Sequence, residues 1–224
     1  MESTMHLVFD VNETLLDTGA LDPLFKRWFG TDAARSEWFL TLQETWMTAN
    51  LVGEFEPFAD LARSALRQLG AKHGVAIAVG DEQALVEAIL SMPAHADSAA
   101  ALAQLREQGH TLTALTNSAL KAAHRQLDNA GLSGYFDAIL SVESVGRYKP
   151  SPEPYRHAAS HWGVATAELI MIAAHGWDLI GANAAGLRTG FIARPGKAMD
   201  PQLGSVPDWQ DDDLARLVQR AVAQ

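Results

Sequence analysis

At 224 residues, 48% hydrophobic and 20% charged, the chain can form one compact domain of ~150 residues plus a smaller insertion, and its composition excludes a disordered or fibrous protein. The 17 basic against 27 acidic residues, a formal charge of −10, disfavour nucleic acid and anionic membrane as partners, and the absence of cysteine excludes disulfides, thiolate metal sites and thiol nucleophiles. No apolar run approaches the ~18 residues of a membrane span, and Met1–His6 lacks the basic start of a signal peptide, so the expected location is cytoplasmic.

Met5–Phe9 is a short apolar run that stops at Asp10, Asn12, Glu13 and Thr14, the pattern of a buried strand with a polar tip. From about Asp17 to His95 there is no convincing strand. Helical stripes replace it, such as Phe58, Leu61, Ala62, Ala65, Leu66 and Leu69. Beyond Asp97 strand and helix alternate. Helical patterns at Ser98–Gln108, Ala119–Ala130, Pro152–Trp162 and Asp178–Ala185 each close on glycine, and between them lie strands at Thr111–Leu115, Ala138–Val142 and Leu169–Ile172. A final short helix follows the acidic run Asp211–Asp213. This order predicts an α/β protein with a parallel sheet, a core from 1–16 and 96–224, and a helical cap from 17–95 set over the strand tips.

A parallel sheet gathers polar tips that are distant in sequence. Here they are Asp10 with Thr14, Thr116 with Asn117, Lys149, and His175 with Asp178. An ionised aspartate at such a tip can attack electrophilic carbon or phosphorus and form an ester or acyl phosphate that water then cleaves. A lysine nearby keeps it ionised, and Thr14, Thr116 and Asn117 offer hydrogen bonds to an anion. Taken singly, each of these residues is equally a helix cap or turn residue.

The ordered set Asp10-Val-Asn-Glu-Thr14, Leu115-Thr-Asn-Ser118, Tyr148-Lys-Pro150 with Tyr155, and Ile172-Ala-Ala-His-Gly-Trp-Asp178 resembles the haloacid dehalogenase superfamily over nearly the whole chain. The resemblance implies a Rossmann-like core with Asp10 as nucleophile, and Lys149, Asp178 and Thr14 as catalytic partners. It places Val11, Asn12, Thr116, Asn117, Trp46, Tyr155, His175 and Trp177 around the substrate. Phosphatases of the superfamily carry a second aspartate where Asn12 stands, and an acidic pair for Mg²⁺ where Ala173, Ala174 and His175 stand. The chain is more similar to the type II 2-haloacid dehalogenases, which need no metal or cofactor because halide leaves without a proton. That branch implies a small halogenated carboxylate as substrate, an Asp10 ester, water positioned by Asp178 with Lys149, and a homodimer. A Mg²⁺-dependent phosphatase and a weakly catalytic anion-binding relative are the alternatives.

Three features depart from the branch. No arginine occurs in Glu37–Trp46, where the family keeps its substrate-gathering arginine; Arg27 and Arg63 are substitutes or simply surface helix residues. Asn12 replaces an aromatic residue. His175 replaces an asparagine or serine, and is a base, a hydrogen-bond donor or a satisfied structural histidine.

Overall fold

A computed structural model describes residues 4–203 and 206–223, so residues 1–3 and 224 at the ends of the expected core lie outside the description, as do 204–205 in its tail. Six strands, β1 (His6–Phe9), β2 (Thr111–Thr116), β3 (Ala138–Ser141), β4 (Leu169–Ala173), β5 (Arg188–Ile192) and β6 (Trp209–Asp211), form one sheet in the order β3-β2-β1-β4-β5-β6. All pairings are parallel, with Phe9 between Ala114 and Ile172 at the end of the central strand. The α/β reading therefore holds.

Both faces of the sheet are covered, which explains why the strands read as continuous apolar runs. Leu7, Phe9, Leu112, Ala114, Ile170 and Ile172 point to one face. There they meet Leu102 and Leu105 of α5 (Ser98–Glu107), Leu127 of α6 (Leu120–Asn129) and Leu217 of α9 (Leu214–Val222). Val8, Leu115, Met171 and Ala173 point to the other, against Tyr155 and Ala158 of α7 (Pro152–Trp162) and Leu179 and Ala182 of α8 (Gly176–Ala184). The alternation by one residue is the period of a strand, and burying each large side chain stabilises the fold by roughly 1.5–3 kcal/mol.

β5 and β6 escaped the sequence pattern. β6 has three residues, and β5 contains Gly190, which lowers strand propensity. The glycine is required by packing: a Cβ there would meet Ile172 Cδ1 at 2.6 Å.

Between β1 and α5 run α1 (Asp22–Phe29), α2 (Ala33–Val52), α3 (Phe58–His73) and α4 (Val79–Leu90). The expected stripe on α3 is buried throughout, facing Trp38, Leu42 and Trp46, which recur every four residues along α2. The Trp38 indole donates to the Ala62 carbonyl at 3.0 Å and fixes that crossing. The outgoing and returning chain run side by side: Asp17 N–H donates to Pro93 O and His95 N–H to Leu15 O, each at 2.8 Å. Among the described residues no helix is long and apolar enough to cross a membrane.

Candidate active site

Asp10 lies one residue beyond β1, its N–H still bonded to Ile172 O at 3.0 Å, so the central strand delivers its carboxylate to the sheet edge. Lys149 approaches from the loop after β3 through a cis Lys149–Pro150 peptide, and α8 packs close enough that a Cβ on Gly181 would meet Pro150 atoms at 2.5 Å. The Lys149 ammonium has no exposure and three acceptors: Asp10 Oδ1 at 2.9 Å, Asp178 Oδ2 at 2.6 Å and the Leu115 carbonyl at 2.9 Å. All three donors are used. The second Asp178 oxygen accepts the Tyr155 hydroxyl at 2.6 Å. Asn117 holds the Lys149 backbone, accepting its N–H at 3.0 Å.

Thr14 donates to Asp10 Oδ2 at 2.7 Å and accepts the Ala174 N–H at 2.9 Å, tying β1 to the tip of β4. From that tip comes His175, whose Nδ1 lies 3.3 Å from Asp10 Oδ2 and whose Nε2 lies 2.6 Å from Glu13 Oε2. The imidazole ring is layered between Phe39 and Trp177, with centroids 5.6 and 5.0 Å away. Glu13 in turn accepts the Thr18 hydroxyl at 2.9 Å, lies 3.5 Å from Arg35, and pairs with Lys197.

These contacts set the charges. Burial alone would raise the Asp10 carboxyl, but the Lys149 ammonium, followed by His175, outweighs it and holds Asp10 far below the usual carboxylate range. Burial works against Lys149 as well, and Asp10 and Asp178 overcome it and keep the ammonium charged. Burial pushes Asp178 up, opposed by Lys149. His175 rises to about 9 despite burial because two carboxylates accept its N–H groups, and Glu13 falls to about 2 because His175 and Lys197 outweigh its burial.

A partly open cavity of about 20 Å³ adjoins Asp10, lined by Asp10, Asn12, Phe39, Trp46, Phe58, Thr116, Asn117, His175 and Trp177. On the far side of Glu13 a polar cleft of about 270 Å³ is lined by Asp17, Arg35, His95, Arg194 and Lys197. The sequence-predicted set is thus brought together, with two corrections. Tyr155 does not wall the cavity: it is fully buried behind Lys149, its hydroxyl spent on Asp178. Val11 points into the hydrophobic core, because the residue after a strand-end aspartate faces the opposite way. Thr14, Lys149 and Asp178 touch Asp10 or one another rather than the cavity. Arg27 is an exposed partner of Asp81 and Arg63 of Asp60, so neither replaces an arginine clamp.

Sequence reasoning missed Lys197 and Arg35; it read Phe39 and Phe58 as aromatic residues that either line a pocket or pack the insertion against the core, and Glu13 only as part of the polar tip after Phe9. The left-handed backbone of Glu13, φ 64°, is unique among the described non-glycine residues.

A parallel α/β hydrolase with a lysine-clamped aspartate at the central strand tip is the class defined by this fold and site. The family model for haloacid dehalogenase-like hydrolases matches residues 4–186, and the chain belongs to that family. Among curated proteins it is 27% identical to haloacetate dehalogenase H-2 of Moraxella sp. (strain B), covering 93% of this chain and 94% of that one. It is also 27% identical to an (S)-2-haloacid dehalogenase of Pseudomonas sp. (strain YL), over 80% of this chain and 76% of that one. The L-2-haloacid dehalogenase RSc1362 superimposes with a TM-score of 0.92 at 28% identity, covering 99% and 100% of the two chains.

Proposed function

We propose that this chain hydrolyses the carbon–halogen bond of a small 2-haloalkanoic acid through an Asp10 ester. The observation that carries the reading is the Asp10 carboxylate, kept anionic by a fully buried ammonium 2.9 Å away and facing a cavity of about 20 Å³ walled by aromatic rings. A carboxylate in that state is a nucleophile ready to displace halide from C2, and halide leaves with its electron pair and needs no acid. The names of the curated relatives, haloacetate and (S)-2-haloacid dehalogenases, agree with a 2-halogenated carboxylic acid.

The catalytic set is Asp10, Lys149, Asp178 and Thr14. Lys149 holds the charge of Asp10, Asp178 and Tyr155 hold Lys149, and Thr14 orients the carboxylate. Asn12, Thr116, Asn117, Trp46, His175 and Trp177 form the substrate walls with Phe39 and Phe58. The buried indole N–H groups of Trp46 and Trp177 have no acceptor among the described residues, and are free to receive the halide or the substrate carboxylate. Phosphoryl transfer is served poorly: Asn12 presents a carboxamide, bonded to Gln126 at 3.0 Å and to Ser118 at 3.4 Å, where a general acid would stand.

The segment 17–95 acts in this reading as a cap over the core 1–16 and 96–224. Its paired connections at Leu15–Asp17 and Pro93–His95, and the presence of Phe39, Trp46 and Phe58 in the cavity wall, support that division. A cytoplasmic homodimer belongs to the same reading through the family resemblance, and light scattering at twice the 24.2 kDa chain mass tests the dimer. The activity test is halide release from 2-chloropropionate and chloroacetate with chelator present. Free halide with the 2-hydroxy acid supports the reading; hydrolysis of an aryl phosphate without halide release overturns it.

A further inference from the structure

Displacement of halide is half of the reaction. The Asp10 ester must then be cleaved by water, and a base has to take that water's proton. Asp178 is poorly placed for this: it has no exposure, its oxygens face Lys149 and Tyr155, and it lies off the cavity wall.

His175 is on the wall. Its Nδ1 faces the carboxyl group that water must attack, and its Nε2 is held at 2.6 Å by Glu13, the arrangement of a base steered by a carboxylate. Layering between Phe39 and Trp177 restricts the ring's tilt. Glu13 occupies a left-handed backbone conformation that non-glycine residues rarely adopt. Thr18, Arg35 and Lys197 secure its carboxylate in that position. That conformation has a use if the carboxylate must reach His175.

Resting on the dehalogenase reading, we infer that His175 is the catalytic base that activates the ester-cleaving water and that Glu13 is its positioning residue. In the resting site His175 stands between two carboxylates and carries both protons. Attack by Asp10 forms the Asp10–C2 bond and breaks the carbon–halogen bond, the pair leaving with halide. Asp10 is then a neutral ester, His175 keeps one anionic partner, and the imidazolium gives one proton to solvent as the halide departs.

Water entering the space left by the halide adds to Asp10 Cγ while its proton passes to His175. The tetrahedral adduct breaks its bond to the substrate oxygen, and His175 returns the proton to that alkoxide, giving the 2-hydroxy acid. The regenerated Asp10 carboxylic acid then passes its own proton to His175 across the 3.3 Å contact, restoring carboxylate and imidazolium. The sum is one water consumed, and one halide, one proton and one hydroxy acid released.

Rapid-quench kinetics with 2-chloropropionate on the full-length enzyme separate the two halves. In His175→Gln a halide burst of one equivalent is expected within about threefold of the wild-type rate, followed by turnover at least about 100-fold slower, with intact-protein mass showing the ester on Asp10. Glu13→Gln should show the same pattern with about a tenfold loss. In the unmutated enzyme, D₂O should slow the ester-decay phase about twofold or more and leave the burst unchanged. Wild-type turnover in the variants, a burst slowed in step with turnover without ester accumulation, or an ester-decay phase insensitive to D₂O each overturns the role of His175 while leaving the dehalogenase reading standing. Absence of any halide from the wild type overturns that reading and this one with it.

Discussion

Asp10 stands between two cations, and each cation stands between Asp10 and a second carboxylate. On the sheet side Lys149 joins Asp10 to Asp178; on the cavity side His175 joins Asp10 to Glu13. The resemblance ends there. Lys149 has no exposure and spends every donor on short bonds of 2.6 to 2.9 Å, whereas His175 walls the cavity and meets Asp10 across a longer 3.3 Å. A lysine held by two anions stays charged through the cycle. A histidine whose pKa depends on the state of the nucleophile can change its charge during it. One side of the nucleophile therefore fixes a charge, and the other is built to move a proton.

The largest break in this pairing comes at its common member. Asp10→Asn removes the nucleophile, and turnover should fall by about a thousandfold or more, measured as halide release, with the circular dichroism spectrum unchanged. Retention of the wild-type rate would take Asp10 out of the mechanism. Lys149→Met acts on the fixed side and leaves the buried Asp10 and Asp178 carboxylates without their cation. Breaking a buried pair in this way costs about 3–5 kcal/mol, read from the urea midpoint, together with loss of halide release. A stability within about 1 kcal/mol of wild type would mean that the two carboxylates do not depend on Lys149.

The fixed side was legible in the sequence; on the mobile side His175 was named, with a base among its readings, while the groups that hold and face it mostly were not. Asp10, Thr116, Lys149 and Asp178 each follow an apolar run that had to be a strand, and a parallel sheet leaves no other place for their tips to meet. The α3 stripe was legible for a similar reason, since a 3.6-residue period fixes which face is buried. Phe39, Phe58 and Lys197 reach the site through the packing of α2 and α3 and through the turn after β5, and no local spacing encodes those approaches. Tyr155 was assigned to the substrate when its hydroxyl belongs to Asp178, because spacing tells which residues gather but not which one stands in front. Glu13 was visible as a polar tip, but its left-handed backbone, which turns it toward His175, was not.

The mobile side can be sharpened by pH. His175 is raised from 6.5 to about 9, so the stability it contributes is fully present below 6.5 and is lost as pH rises through 9. Glu13 is lowered from 4.5 to about 2, so its contribution is present above 4.5 and lost as pH falls through 2. The two shifts share one interaction and do not add. Wild type should exceed His175→Gln by on the order of 3 kcal/mol between pH 4.5 and 6.5, and the gap should narrow toward pH 9.5 and toward pH 2.5. Urea midpoints across that range measure it, and a gap independent of pH would show that His175 is neutral in the fold.

The smallest expected effect concerns the aromatic wall that both sides share. Trp46 is 1% exposed, stacks near Tyr148, lies tilted against Trp177, and carries a buried indole N–H that no acceptor among the described residues satisfies. An unmatched donor costs roughly 1–3 kcal/mol when buried in an apolar core, so its retention at a cavity wall calls for an anion that visits. Trp46→Phe keeps an aromatic ring and removes the donor. If the N–H receives the departing halide, kcat/KM for 2-chloropropionate should fall about tenfold, with the loss in the halide burst, and added bromide should inhibit more weakly than in wild type. If it receives the substrate carboxylate instead, KM should rise with the burst rate unchanged at saturation. Wild-type values for kcat/KM, burst and bromide inhibition together would make the indole N–H an unmatched group of the packing.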